Sequence, residues 1–349
     1  MSQSIVGIDI GRDTIRAVEL EGTTRARPAI VRAAVVPIPD GAARSGEVRQ
    51  VTTAATAFRS LWSTGGFRTK NVVIGMGNHR VIARELTVPR LPIDQIRESL
   101  PFQVQDMIPV PVGEALLDFY PSSEEVTEAG PVVHGLLVAA IKESVEANVA
   151  AVQQAGLRPV QVDLIPFALS RVMMRGAHAT GTLALVDIGA TTTHVVISSD
   201  GVPKFVRMIP LGGNTLTDAI SRKLEISPEQ AEIAKRARGL SSAPVSSEKE
   251  RLTAETIFGG VNELLQGLRN TITYFANTRQ GDRIGAVLLS GGASQLPGLA
   301  TALGEVLRLE VIAFDPLTTV DVSKAALTTI SDDPMSMRVA LGLALGSEA

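Results

Sequence analysis

Apolar residues gather in short alternating runs near the start of this chain and in longer helical stripes later, with glycine or proline at almost every change. Residues 4–10, 14–21 and 28–37 read as three successive strands with turns at Gly11 and at Gly22 to Arg27. The period then lengthens. Val51, Ala54, Ala55, Phe58, Leu61 and Trp62 recur at helical spacing within Glu47 to Ser63, and Gly65-Gly66 stops that helix. Trp62 is read as a core anchor. Val72 to Met76 returns as a buried strand, completing a β-β-β-α-β opening.

The next stretch follows a different order. Val81 to Val88 reads as a strand and Asp94 to Met107 as an amphipathic helix ended by Pro109 and Pro111. Leu116 to Tyr120 and Val132 to Ile141 are strands separated by a polar loop from Ser122 to Gly130. Glu143 to Ala155 is a helix and Val160 to Asp163 a closing strand. This reads as a compact α+β subdomain inserted into the first lobe, with Ile96, Leu100 and Val104 packing on its sheet and the helix's other face open to a partner.

Three further strands (Leu183 to Asp187, Thr193 to Ser199, Lys204 to Pro210) mirror the opening trio, which predicts an internal duplication into two lobes. A helix opens at Leu211 to Asn214, and another is capped by Ser227 with Pro228 in its first turn. Ser241 to Ser247 forms a Ser, Ala and Pro-rich loop. Lys249 to Asn277 is one long helix whose stripe of Ile257, Val261, Leu264, Leu268, Ile272 and Phe275 predicts core packing. Met337 to Leu345 is a last short helix.

Candidate chemistry sits at the turns. Ile8-Asp9-Ile10-Gly11 and Val186-Asp187-Ile188-Gly189 each end a buried strand on an aspartate, which can hold a hydrated divalent cation, and a glycine, which lets backbone N–H groups approach an anion. Either turn alone reads more readily as an ordinary β-hairpin, its glycine satisfying a positive φ, than as half of a binding site. Two copies suggest paired half-sites facing each other across a cleft, suited to a polyphosphate and its metal. A third element, the strand ending Ser290-Gly291-Gly292-Ala293, runs into a helix opened by Gln295 to Leu299 and offers Cβ-free backbone to a purine or sugar.

Composition narrows the classes. At 349 residues the chain exceeds one simple core and predicts two lobes. No apolar stretch reaches the ~18 residues of a membrane span, and Met1 to Ser4 leads into the first strand without a secretory signal. With no cysteine there is neither disulfide nor thiolate site, and four scattered histidines argue against a zinc centre. The expected compartment is the cytoplasm. A net charge of −3 and 3% aromatic residues argue against a nucleic-acid surface.

The three glycine elements, in this order, resemble the phosphate-1, phosphate-2 and adenosine pattern of the actin, heat-shock chaperone and sugar-kinase superfamily. The segments 86–119, 136–172, 185–220 and 339–345 more specifically resemble the PilM family of type IV pilus assembly, relatives of the division protein FtsA. That resemblance implies an α/β, two-lobed actin-like ATPase fold of duplicated ribonuclease-H-like lobes, with an inserted SHS2-type 1C subdomain. Its boundaries would be 1–79 plus 163–180 for the first lobe, 80–162 for the insertion, 181–211 plus 282–349 for the second lobe, and 212–281 for a helical subdomain.

It also implies ATP and Mg²⁺. Asp9 and Asp187 would flank the metal through its water shell. Gly11, Arg12, Asp13 and Thr14 would line one side of the phosphates, and Gly189, Ala190, Thr191 and Thr192 the other. Gly212, Gly213 and Asn214 would lie near the ribose, Glu232 and Lys235 at the ribose and adenine edge, and Gly291, Gly292 and Ala293 under the purine. On the residues alone, Glu232 and Lys235 read as a solvated helix pair worth a few tenths of a kcal/mol.

The implied function is a cytoplasmic scaffold that docks the N-terminal tail of a PilN-like inner-membrane protein between the first lobe and the insertion, with self-association as a further partner mode. FtsA continues into a basic amphipathic membrane helix; this sequence stops at Gly346 to Ala349, so membrane recruitment is expected through a partner. Two departures stand out. Arg12 and Asp13 interrupt the usual small hydroxyl run, and Leu164-Ile165-Pro166 carries isoleucine where hydrolytic relatives carry an acid or amide. Weak or negligible ATP hydrolysis follows, because isoleucine cannot orient a water. An FtsA-like filament scaffold and a small-molecule kinase are the competing readings.

Overall fold

The computed structural model describes residues 4–279, 281–331 and 333–346, and the chain divides into two compact units. The first carries the chain up to Thr180 with Asp200–Val206 and everything from Asp315; the second carries Gly181–Ser199 and Arg207–Phe314.

In the first unit, β1 (Ile5–Ile10), β2 (Thr14–Glu21) and β3 (Ala29–Pro37) pair antiparallel in succession. A small hairpin follows, β4 (Ala43–Arg44) and β5 (Glu47–Val48), before α1 (Val51–Gly65). The helix therefore starts later than the periodicity predicts. Gly66 ends it in the left-handed region at φ 59°, donating its N–H to the Trp62 carbonyl. Trp62 packs on Phe67 and hands its indole N–H to the Thr69 carbonyl.

β6 (Asn71–Met76) adds parallel to β1, and the insertion departs from its end. The insertion holds β7 (Val81–Pro89), α2 (Ile93–Gln103), β8 (Ala115–Thr127) and β9 (Gly130–Ile141), its sheet ordered β7–β9–β8. Ile96, Leu100 and Val104 bury against Phe119 and Leu137 as their spacing predicts. The polar segment expected as a loop instead extends both strands, pairing Glu124 with Val133 and Thr127 with Gly130. A strand solvated on both faces carries no apolar alternation to announce it.

α3 (Lys142–Gln154) and β10 (Arg158–Leu164) return to the first sheet, where β10 pairs parallel with β6 and α3 packs on α1. Both were expected inside the insertion. α4 (Ile165–Met173) follows directly.

The second unit repeats the plan. β11 (Thr182–Ile188), β12 (Thr193–Ser199) and β13 (Val202–Ile209), the last of which is grouped with the first unit as far as Val206, precede the helices α5 (Gly213–Leu224), α6 (Pro228–Arg238) and α7 (Glu248–Thr278). β14 (Ala286–Ser290), α8 (Leu299–Leu307) and β15 (Glu310–Ala313) complete it. Its sheet runs β13–β12–β11–β14–β15, with β14 parallel to β11 and β15 parallel to β14. The first sheet has the matching order β3–β2–β1–β6–β10, so the duplication read from the strand trios extends to the parallel strands.

The C-terminal segment corrects the expected boundary at 282–349. β16 (Asp321–Val322) pairs with β3, α9 (Lys324–Ile330) lies on β3, and α10 (Arg338–Leu345) packs on β1 and α4. Residues from Asp315 thus belong to the first unit. Missing side chains make this possible. A Cβ on Gly7 would lie 2.0 Å from the Ala340 carbonyl oxygen, and one on Gly342 only 2.1 Å from that of Ala168. Both contacts are backbone and cannot rotate away.

Gly342→Val is accordingly expected to destabilise the protein by about 3 kcal/mol, at the upper end for overpacking. Gly259→Ala, an exposed site in α7 where a Cβ meets nothing within 4 Å, is expected to be neutral or to gain up to ~1 kcal/mol. Urea denaturation of the two variants checks the contrast.

Candidate functional site

Asp9 lies near the end of β1, and the following turn closes when the Gly11 N–H donates to the Thr14 carbonyl at 2.9 Å. That closure sets the register Ile10 to Ile15 and Asp9 to Arg16. Arg16, which sequence reasoning passed over, brings Nη1 to 3.4 Å from the Asp9 carboxylate. Its Nε is buried with no hydrogen-bond partner. The guanidinium also crowds the turn, since a Cβ on Gly11 would stand 3.0 Å from Nη1. Arg12 and Asp13 sit at the exposed tip and pair with each other at 3.4 Å, so each offsets the other's field.

The second unit holds the same turn. Gly189 N–H donates to the Thr192 carbonyl at 3.0 Å, which places His194 opposite Asp187. Asp187 is buried. Its Oδ1 accepts from the Ser290 hydroxyl at 2.9 Å, and His194 Nδ1 lies 3.7 Å from Oδ2. Ser290 reaches it because β14 runs parallel to β11 with Ser290 at the Asp187 position.

Around this turn the second unit gathers the other expected elements. Gly213 N–H donates to the Gly189 carbonyl at 3.0 Å and Asn214 N–H to the Ala190 carbonyl at 2.8 Å. A Cβ on Gly212 would fall 2.6 Å from the Ala190 carbonyl, and one on Gly213 would fall 2.9 Å from the Ala293 methyl. Gly291 takes φ 99°, and a side chain there would collide with the Ile188 carbonyl at 2.2 Å. Glycine is required at each of these close approaches. Gly189 to Thr192, Gly212 to Asn214 and Gly291 to Ala293 therefore form one backbone-lined patch.

Lys235 completes it and is no solvated pair. Its buried ammonium donates to the Gly213 carbonyl at 3.1 Å, to Thr217 Oγ1 at 2.9 Å and to Glu232 Oε2 at 2.5 Å. Glu232 also accepts from Thr217 at 2.6 Å and from Arg236 at 2.7 Å. Burial pushes the Glu232 carboxyl up, but hydrogen bonds from Lys235, Thr217 and Arg236 outweigh it and hold the pKa to about 2. Lys235 thus ties α6 to the N-terminal turn of α5.

In the first unit, the segment after β10 offers little to a nucleophilic water. Leu164 and Ile165 are buried, and the Asp163 carboxylate is taken by Arg171 and by the Leu164 N–H. Among the described residues no three His, Asp or Glu side chains cluster as metal ligands, and no helix is long and apolar enough to cross a membrane.

Comparison with known proteins gives a family match. Residues 7–348 match the family model described as type IV pilus assembly protein PilM. The chain is similar to the solved PilM-PilN type IV pilus biogenesis complex, with 29% identity, a TM-score of 0.82, and coverage of 98% of this chain and 97% of that one. It is 22% identical to the cell division protein FtsA of Bacillus subtilis (strain 168), over 89% of this chain and 78% of that protein. MreB5 of Spiroplasma citri, solved with AMPPNP bound, shares the actin-like fold at 12% identity, with a TM-score of 0.54 and coverage of 98% and 95%.

The Glu232 network predicts a defined acid response. Because its folded pKa lies below the ordinary 4.5, its contribution is complete above pH 4.5 and drains away as pH falls toward 2. Glu232→Gln is expected to cost about 2 kcal/mol at pH 7, less than the 3–5 of a fully buried broken pair. The same variant should flatten that acid limb, followed by circular dichroism across pH 2 to 7.

Proposed function

This chain belongs to the PilM family of type IV pilus assembly proteins, and on that basis we propose that it is a nucleotide-holding scaffold of the pilus inner-membrane platform. The observation that carries this reading is likeness to the PilM-PilN complex along 98% of the chain, insertion included. The partner is then the N-terminal tail of a PilN-like membrane protein, docked between the first sheet and the insertion. In that region Tyr120 of β8 stacks on Phe167 of α4 at 4.6 Å, and the neighbouring edge strand β10 exposes Val160 and Val162. An open edge with apolar side chains suits an extended apolar peptide.

The nucleotide reading rests on the repeated turn. ATP with Mg²⁺ is the proposed ligand of Gly11 to Thr14, Gly189 to Thr192, Gly212 to Asn214, Glu232, Lys235 and Gly291 to Ala293. The patch of required glycines fits flat contact with phosphate and purine, and the orphaned Arg16 Nε fits an incoming anion. Asp9 and Asp187 already hold Arg16 and Ser290, so they would meet the metal through its water shell. When bound, the cation neutralises phosphate charge. Ile165 and the Arg171-bound Asp163 leave no free acid or amide at that position of the described chain to orient a water, which favours ATP as a conformational clasp over ATP as fuel.

Calorimetry with Mg-ATP should give binding that weakens at least about tenfold (~1.4 kcal/mol) in Asp187→Asn. Phosphate release should stay well below about 1 per second, the low end of enzyme turnover. An apolar, asparagine-containing tail peptide should bind the wild type and lose at least about tenfold in Val162→Asp. A chain that takes neither nucleotide nor tail would refute the proposal, and phosphorylation of a small-molecule acceptor would favour the kinase alternative.

A further inference from the structure

Positive charge collects at one end of the first sheet. The chain has no Asp or Glu between Glu21 and Asp40, between Glu47 and Glu85, or between Glu146 and Asp163. Folding brings a loop from each of these stretches to the same place. The registers Glu21 to Ala29, Ile5 to Leu20, Val6 to Val72 and Asn71 to Arg158 put all three at the end of the sheet opposite the Gly11 to Thr14 turn. Direct contacts join them. The Arg68 N–H and Arg32 Nη1 both donate to Glu19 Oε2 at 3.3 Å, the Arg158 N–H donates to the Lys70 carbonyl at 2.8 Å, and Arg59 Nη1 donates to the Gln154 carbonyl at 3.0 Å.

The carboxylates at this end do not balance the charge. Glu19 is buried beneath Arg32, Asp321 is held by Arg27, and Glu21 is half-buried. Arg25, Arg68, Lys70 and Arg158 are exposed, and among the described residues their side chains form no ion pair. Four free cations on one face of a chain whose net charge is −3 call for a polyanion. They offer no platform for stacking bases, because Phe67 is buried and Trp62 packs on it. Long side chains on three separate loops suit anions that move to meet them, as phospholipid headgroups do in a fluid leaflet, and four to eight such bases are the usual number in anionic-lipid contacts.

We propose that this end of the first unit rests on anionic phospholipid headgroups through Arg25, Arg68, Lys70 and Arg158. The preference for a membrane over another polyanion rests on the pilus-platform reading, which keeps the chain beside one. Arg158 opens the strand whose exposed Val160 and Val162 border the proposed tail site, so the tail and the leaflet it emerges from would meet the same edge of the protein.

Co-sedimentation of the full chain with vesicles tests it, using phosphatidylcholine with about a third phosphatidylglycerol beside phosphatidylcholine alone. Wild type should bind only the anionic vesicles and be released at about 1 M salt, where screening acts within ~3 Å. Arg68→Gln, Lys70→Gln and Arg158→Gln should each lower partitioning about fivefold, equivalent to ~1 kcal/mol per charge. The triple variant should abolish binding with an unchanged circular dichroism melt. Arg222→Gln, the same charge change on an exposed residue of α5, should bind like wild type. Vesicle binding without tail-peptide binding would fail the platform reading alone, and tail binding without vesicle binding would fail this one. Equal binding to neutral vesicles, a triple variant that binds like wild type, an equal loss in Arg222→Gln, or a wild type that takes RNA or polyglutamate but leaves anionic vesicles untouched would each overturn the proposal.

Discussion

One hydrogen bond, from a glycine N–H to a threonine carbonyl three residues on, sets the frame in both units. It closes Gly11 to Thr14 and Gly189 to Thr192, and by closing them fixes the hairpin registers. Register decides which side chain meets each aspartate. A slip of one residue would turn Arg16 away from Asp9 and His194 away from Asp187. The same closure leaves the turn's backbone tight enough that a side chain on either glycine would strike the threonine carbonyl at 2.7 or 2.9 Å. Conformation and chemistry are therefore set by one local contact before any ligand is considered.

In the second unit that contact is extended rather than repeated. The β11–β12 turn accepts the N–H groups of Gly213 and Asn214, the Gly213 carbonyl accepts Lys235, and Lys235 holds Glu232. Strand turn, α5 and α6 are thus joined by one chain of hydrogen bonds, fully satisfied at its buried ammonium. A buried charge so supplied is inexpensive to keep and costly to orphan. It also explains why α6, with few buried apolar residues of its own, is held in place.

Most of the fold was legible wherever burial leaves a period. The strand trios, the α7 stripe and the Ile96, Leu100 and Val104 face all show it, and all formed near the expected positions. What escaped depends on distant partners. Nothing in Arg158 to Leu164 tells whether it closes an inserted sheet or joins β6, and nothing in residues 321–345 announces β3 and β1 as neighbours. Arg16 was hidden for a subtler reason: its role follows from counting back across a turn whose closing bond had first to be known. Glu232 and Lys235 were noticed from their spacing, but their burial was not, because helical polarity alone reads as exposure.

The insertion raises a separate physical question: how a sheet attached by two strand ends keeps a fixed attitude to the unit that carries it. The answer lies in the β4–β5 hairpin. Glu47, buried on β5, holds Arg49 at 3.0 Å and Arg80 at 3.1 Å, and Arg80 stands where the chain enters the insertion. The Arg80 carbonyl accepts the Ile141 N–H, so the exit strand is tied to the entrance. Asn78 accepts the Arg80 N–H and donates to the Ser45 carbonyl, while Asn148 of α3 accepts the Val48 N–H and donates to the Gly46 carbonyl. Freeing the entrance would leave the Glu47 carboxylate buried with only Arg49 and the buried Asn78 amide short of a partner, costs that oppose bending at the two-strand tether. The insertion is therefore carried rigidly by the hairpin, and Gly46 of that hairpin lies close to the Ile10 carbonyl beside the first turn.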